Sequence, residues 1–377
     1  MTLLSGPNLA GNELAYVKEC LDTAWVSSVG AYVTRFEEML AERCGTRYAV
    51  ATSSGTTALH TCLHLLGVGR GDLVICPDLT FVATLNAVLY TGAEPVLVDC
   101  DPETWQLDVG LVERFLHEHC ERRDGACVRR RDGRRVPVVM PVHVLGNVGE
   151  MDRLLTLAEA WSLVVLEDST EALGSTYRGR PAGSLGRVGT MSFNGNKLIT
   201  TGGGGMIVTD DEALAARAKH VTTQAKADPA EYVHDEMGFN YRLTNVAAAL
   251  GVAQMEQLDG FLARKVEIDA FYRDELDGLA DVRFQRVLPE VDPNRWLFTI
   301  LTRDMRRALA ALNEAKLQSR PFWVPMHRLP MFADAQLVGD EHAADRVYER
   351  ALSIPCSTNI TDEELRRVVE VLRRVLG

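Results

Sequence analysis

The sequence predicts an α/β fold: a mainly parallel sheet between helix layers over residues 1–260, followed by a smaller α+β lobe over residues 261–377. Three observations carry this. Short runs apolar on both faces, such as Leu163-Val-Val-Leu-Glu-Asp168, alternate with amphipathic helical stretches, and strands hidden on both sides belong to parallel sheets covered by helices. A chain of 377 residues is long enough for a large core and two lobes. Near residue 260 the regular alternation gives way to scattered short strands.

Glu13 to Asp22 and Val33 to Arg43 have helical spacing, the second closed by Gly45. The loop Trp25-Val-Ser-Ser-Val-Gly30 lies between them. Tyr48 to Thr52 is a strand, Ser53-Ser-Gly-Thr-Thr57 follows, and a helix runs from about Ala58 to Leu66. Hydroxyl residues and a glycine opening a helix directly after a strand make a phosphate cradle, because orphan N–H groups, the helix dipole and the hydroxyls all favour an anion. An ordinary Ser/Thr cap is the plain alternative. His60 and His64 share a helix face, but no further ligands suggest a metal.

Leu73 to Cys76, Pro95 to Asp99, Val136 to His143 and Leu163 to Asp168 are the next strands. Between them come a helix from the Pro77-Asp-Leu-Thr-Phe81 segment to Gly92, and helices over Asp108 to Cys120 and Met151 to Trp161. Glu121 to Arg135 holds seven arginines and two Asp-Gly turn signals. It reads as an inserted hairpin or loop, a solvated excursion in preference to a clamp on a ligand diphosphate or a partner subunit. Thr190 to Phe193 is a buried strand, Lys197 follows four residues later, and Gly202 to Gly205 precede the apolar run Met206 to Thr209. Four glycines there imply φ > 0 turns or backbone pressed against something large; a plain hairpin with a solvated lysine is the alternative. Thr244 to Leu276 is helical, with a bend expected at Leu258-Asp-Gly260. Val282 to Phe284, Trp296 to Leu301 and Gln318 to Phe322 are strand-like, with helices over Arg303 to Lys316 and Thr361 to Leu376.

Forty basic and fifty-two acidic residues give a net charge of −12, which argues against general nucleic-acid binding and leaves anionic ligands to local basic sites. Eight scattered cysteines form no C-x-x-C pair, so neither zinc nor a disulfide framework is indicated. With no signal-like N-terminus and no long apolar run, a soluble cytoplasmic protein without a membrane partner is expected.

The amine of Lys197, the cradle at Ser54 to Thr57 and the carboxylate of Asp168 at the end of a buried strand belong together, since open α/β sheets bind ligands beyond the carboxyl ends of their strands. They suit pyridoxal phosphate, which needs a lysine to bond its aldehyde, an acid beside its ring nitrogen and an anchored phosphate. Alone, Asp168 would read as a cap or ion-pair member.

With Trp25 to Gly30, Ser53-Ser-Gly-Thr-Thr-Ala-Leu59, Gly71-Asp72, Pro77 to Phe81, Glu167-Asp168, Ser192 to Lys197 and Gly238-Phe-Asn-Tyr-Arg-Leu-Thr244, the chain resembles the DegT/DnrJ/EryC1/StrS sugar aminotransferases from about Leu9 onward. That resemblance implies the fold-type I architecture, with a seven-stranded type of sheet, and an enzyme that cycles between pyridoxal and pyridoxamine phosphate. It implies that Lys197 bonds the cofactor, Asp168 meets its ring nitrogen, Phe81 stacks on it, and Ser54, Gly55, Thr56 and Ser192 hold its phosphate. Asn240 would reach the phosphate of a neighbouring subunit, making a homodimer with shared sites, and Trp25, Ser27, Ser28, Gly30, Arg242 and His327 would meet a nucleotide-sugar. Glu171 stands where many members carry Gln or His and is counted with the cofactor-binding residues. Glu171 and the arginine-rich segment resemble a subgroup acting on UDP-4-keto-6-deoxy-N-acetylhexosamines. The expected reaction moves the amino group of L-glutamate to the C4 ketone of UDP-4-keto-6-deoxy-N-acetylglucosamine; the alternatives are a GDP- or dTDP-linked keto-sugar, or a non-catalytic regulator of the same fold.

Overall fold

Eight strands form the central sheet of the computed structural model, which describes residues 1–228, 230–279, 281–340 and 342–377. In chain order they are β1 (Tyr48–Thr52), β2 (Leu73–Pro77), β3 (Glu94–Val98), β4 (Val138–Val139), β5 (Val164–Asp168), β6 (Val188–Ser192), β7 (Gly205–Thr209) and β8 (Gln336–Val338). Their spatial order is β1-β7-β6-β5-β4-β2-β3-β8. β7 alone runs against the others, pairing antiparallel with β1 and β6. The remaining neighbours are parallel.

The two-faced strands divide their side chains between two cores. On β2, Leu73 and Ile75 join Phe115, Leu116, Met151 and Leu154 from helices Val109–His119 and Met151–Trp161. Val74 and Cys76 join Leu59, Leu63, Val88 and Ala215 from helices Gly55–Leu65, Ala83–Tyr90 and Glu212–Thr222. Burial on both faces is why these strands lack polar alternation. A third core joins Phe36 and Phe193, whose rings meet edge to face at 4.9 Å, to the apolar side of helix Asn245–Met255. Farther along the chain, strands Arg283–Phe284, Phe298–Leu301, Arg320–Pro321 and Ala351–Ile354 form a four-stranded sheet. It packs on helices Leu258–Leu276, Met305–Glu314 and Asp362–Leu376.

Several features depart from the sequence expectations. The sheet has eight strands because Gln336–Val338, from late in the chain, adds to the β3 edge. A division at residue 260 cuts through helix Leu258–Leu276, which buries Ile268, Tyr272 and Leu276 in the C-terminal core. The helical break falls at Glu256 and Gln257, not at Gly260. The Val136 to His143 strand shrinks to Val138–Val139, flanked by Pro137 and Pro141, neither of which can donate to a ladder.

The arginine-rich segment is a hairpin, Cys120–Arg123 with Ala126–Arg129, whose Asp124-Gly125 turn has φ of 52° and 81°. It is less solvated than expected. Arg129 is buried and holds Asp132 at 2.5 Å, Arg134 holds Glu94 at 2.8 Å, and Arg135 holds Asp72 at 2.7 Å. Among the described residues no helix is long and apolar enough to cross a membrane.

The four glycines do different work. Only Gly202 has a positive φ, 78°. Gly205 pairs with Thr52 on one side and Ser192 on the other, and a Cβ there would stand 2.3 Å from the Ser54 carbonyl oxygen. Gly203 has open space. Gly205→Ala is therefore expected to lower the urea midpoint by the equivalent of about 2–3 kcal/mol, the cost of overpacking against rigid backbone, whereas Gly203→Ala stays within about 0.5 kcal/mol.

Candidate active site

The N-terminus of helix Gly55–Leu65 sits over the carboxyl ends of β1 and β6. Ser54 caps it reciprocally: its Oγ accepts the Thr57 N–H at 3.1 Å, and the Ser54 N–H donates to Thr57 Oγ1 at 3.0 Å. The N–H groups of Gly55 and Thr56 find no acceptor among the described residues. Ser192 lies opposite, and a Cβ on Gly55 would come within 2.9 Å of both Ser192 Cβ and Thr170 Cγ2. The bare α-carbon keeps the cradle open.

At the end of β5, buried Asp168 is held by hydroxyls. Thr84 Oγ1 donates to Oδ2 at 2.7 Å; Thr170 donates to Oδ1 from its Oγ1 at 2.7 Å and its N–H at 3.2 Å. The preceding Glu167 faces the other way and accepts N–H bonds from Gly183, Leu185 and Gly186, with His143 Nε2 at 2.9 Å from its Oε2.

Lys197 follows a tight turn in which its N–H donates to the Asn194 carbonyl at 2.9 Å. Its Nζ lies 3.4 Å from Glu171 Oε1 and 3.9 Å from the centroid of the Trp296 ring. Burial pushes the Glu171 carboxyl up to about 7, against the pull of the Lys197 ammonium and the Leu145 N–H, with Asp168 adding repulsion.

These groups face one cavity of about 330 Å³. One end carries the cradle, with Ser54, Gly55, Thr56 and Ser192; the middle carries Asp168, Glu171 and Lys197; Phe81, Trp296 and Trp323 form an aromatic wall. Phe81 and Trp323 meet edge to face at 6.1 Å, and Trp296 stacks on Trp323 at 6.5 Å. Pyridoxal phosphate fits this donor set: two free N–H groups and a hydroxyl at a helix N-terminus for its phosphate, a carboxylate for its ring nitrogen, and an amine for its aldehyde.

Other expected site residues lie elsewhere. Trp25, Ser27, Ser28 and Gly30 form an outer loop tied to Asn245, which donates to the Trp25 carbonyl at 2.7 Å and accepts the Tyr32 N–H at 3.1 Å. Asn240 is exposed, with its Oδ1 3.4 Å from Arg242 Nη2. Arg242 Nε is buried without a hydrogen-bond partner among the described residues. His327 is held by buried Asp78, through its N–H at 2.8 Å and Nδ1 at 2.7 Å. His60 packs into an aromatic group, its Nδ1 3.1 Å from the Tyr241 hydroxyl. Sequence reasoning missed Thr84, Thr170, Trp296 and Trp323. The two threonines stand close to flagged motifs, but the tryptophans lie in the later lobe with no local signal.

The model of the DegT/DnrJ/EryC1/StrS aminotransferase family matches residues 7–373. The GDP-perosamine synthase of Caulobacter vibrioides is 39% identical, covering 99% of this chain and 98% of its own, and that of Escherichia coli O157:H7 is 38% identical, covering 97% and 95%. The structure of S. venezuelae DesV in complex with a ketimine intermediate superposes with a TM-score of 0.87 at 30% identity, covering 96% of this chain and 94% of that one.

Thr84→Val keeps the shape of the side chain and removes one hydroxyl from Asp168. Cofactor affinity is expected to fall about tenfold, the scale of one lost bond to a charged group, measured by titrating cofactor-free protein with pyridoxal phosphate. Unchanged affinity would show that the hydroxyl contributes nothing to binding.

Proposed function

We propose the following activity for this chain, which belongs to the DegT/DnrJ/EryC1/StrS aminotransferase family: it transfers the amino group of L-glutamate to the C4 ketone of a nucleotide-linked 4-keto-6-deoxy sugar. The observation that carries the reading is the meeting of Lys197, Asp168 and the bare helix N-terminus in one cavity. When bound, pyridoxal phosphate supplies an aldehyde that bonds amines and a ring that withdraws electrons.

The residues then have separable tasks. The Gly55 and Thr56 N–H groups and the Ser192 hydroxyl bind the phosphate. Asp168, fixed by Thr84 and Thr170, favours the protonated ring nitrogen. Lys197 Nζ carries protons, taking one from Cα of glutamate in one half-reaction and delivering one to C4 of the sugar in the other. Delivery from the single side where Lys197 stands sets the configuration of the amino product. The aromatic wall excludes water from the amine.

For the sugar, we place a GDP-linked substrate ahead of the UDP-linked one that the subgroup features suggested. Two relatives named GDP-perosamine synthase align over nearly the whole chain. The arginine hairpin, one of the features pointing to UDP, spends Arg129, Arg134 and Arg135 on Asp132, Glu94 and Asp72. We further propose a homodimer in which Asn240 reaches the neighbouring cofactor's phosphate and the Trp25 loop, Arg242 and His327 meet the nucleotide-sugar. The unpartnered Arg242 Nε and the exposed side chains of Trp25, Val26 and Val29 support a covering partner or ligand there.

Incubating the protein with L-glutamate and, in turn, GDP-, UDP- and dTDP-linked 4-keto-6-deoxy sugars, with mass spectrometry of the products, decides the substrate; the GDP sugar is expected to be aminated fastest. Lys197→Ala should cut turnover by roughly 10³-fold or more while keeping cofactor noncovalently, and Asp168→Ala should lose cofactor or activity. Near-normal transfer by either variant would overturn the site.

A further inference from the structure

The Lys197 amine rests against two walls. On one side is Glu171 Oε1, 3.4 Å away; on the other is the face of Trp296, 3.9 Å from its centroid. A ring face attracts an ammonium, and a carboxylate at that distance is within reach of a proton.

Both walls are locked by the same residue. Asn294 donates from Nδ2 to the Glu171 carbonyl at 2.8 Å and to the Leu173 carbonyl at 2.9 Å, while its Oδ1 accepts the Trp296 N–H at 2.9 Å. Trp296 is pinned further by its Nε1 donating to the Asn196 carbonyl at 2.7 Å and by buried Lys265 donating to its carbonyl at 2.7 Å. The second oxygen of Glu171 accepts the Leu145 N–H at 2.8 Å. Leu145 has a φ of 62°, uncommon for a residue with a side chain, and Gly146 follows at 81°. Only a glycine fits there, since a Cβ on Gly146 would stand 1.8 Å from Asn294 Oδ1. Strained backbone that persists in a packed surrounding points to a role for what it holds, and here it holds one carboxylate.

Resting on the aminotransferase reading above, we propose that Glu171 and Trp296 form a seat for the Lys197 amine whenever it is free of the cofactor, and that Glu171 takes the proton the ammonium must shed before it attacks or serves as a base. In that step an Nζ–H bond breaks and an Oε1–H bond forms. The lysine keeps the electron pair as a neutral amine, and the carboxylate becomes a carboxylic acid. The pair's net charge is unchanged, while two opposite charges vanish from a site nearly closed to water, an exchange that low dielectric favours. Burial raises Glu171 to about 7, with Lys197 and Asp168 as the charged groups that face it. Below about 7 Glu171 already holds a proton from solvent and cannot accept one from Lys197, so the transfer is lost as pH drops through that point.

The test uses the full-length protein and the variant Glu171→Gln. Cofactor-free protein is pulse-labelled with acetic anhydride across pH, and Lys197 labelling is read by peptide mass spectrometry against exposed Lys18. In parallel, the rate of pyridoxal phosphate capture is followed by its visible absorbance. Capture by the wild type should slow as pH falls through the point where Glu171 becomes protonated, about 7. Glu171→Gln should slow capture about tenfold at neutral pH for want of the proton acceptor, while Lys197 labelling rises relative to Lys18 because the carboxylate that held the ammonium is gone. Should that variant not fold, Glu171→Asp, which withdraws the carboxylate from Nζ, should show smaller changes of the same two kinds. A folded variant with the wild-type profile and capture rate would overturn the seat while leaving the aminotransferase reading intact. A wild type that never takes up cofactor would end that reading, and the labelling profile alone would then decide on the seat.

Discussion

The site depends on a close approach of two pieces of backbone. Gly205 lies in register between Thr52 and Ser192, and the Ser54 carbonyl passes directly over it. Any side chain at that point would lift Ser54, and with it the first turn of helix Gly55–Leu65, off the sheet. The phosphate cradle, the Ser192 hydroxyl opposite it and the turn that carries Lys197 all hang from the strands meeting there. One antiparallel strand in an otherwise parallel sheet makes this geometry, because β7 brings its first residue to the edge where its neighbours end.

Three acidic residues within five positions show how partners decide function. Glu167, at the end of a two-faced strand, is used up by three backbone N–H groups and His143; it ties the Gly183 to Gly186 loop beneath the site. Asp168 receives only hydroxyls and one N–H, which fix its direction without cancelling its charge. Glu171 receives one N–H and faces an amine. The first carboxylate is structural, the second is an oriented charge, and the third is poised to exchange a proton. The difference lies in what the surrounding backbone offers, since sequence spacing alone puts all three near the strand end.

Much of this was legible in the sequence because it is local. The strand-to-helix step at Ser53 to Thr57, the buried strand ending in Asp168 and the glycine run after Lys197 each declare themselves over a few residues, and the structure puts Ser54 to Thr56, Asp168 and Lys197 at one cavity. What escaped is set by distant contacts. Pro137 and Pro141 cut a strand that hydrophobicity alone extends. Gln336–Val338 is too short to announce itself and is a strand only because the β3 edge is there to pair with. The helical break could not be located because Gly260 has open space and sits comfortably in the helix. Arg129 reads as solvent-facing by charge, yet Asp132 and Gln336 bury it.

Trp296 and Trp323 were invisible for the same reason, and their origin bears on how the site forms. Both lie in the segment after residue 260, whereas the cradle, Asp168 and Lys197 come before it. The cavity is therefore lined from both parts of the chain. Asn294 joins the two parts: its amide bonds carbonyls after β5 with one end and the Trp296 N–H with the other. A buried amide that satisfies partners from both sides tolerates little displacement, since any shift leaves polar groups unpaired in the interior. One amide thus holds the aromatic wall, the carboxylate and the space around Lys197 together, and the surroundings of the amine depend on a segment about a hundred residues away along the chain.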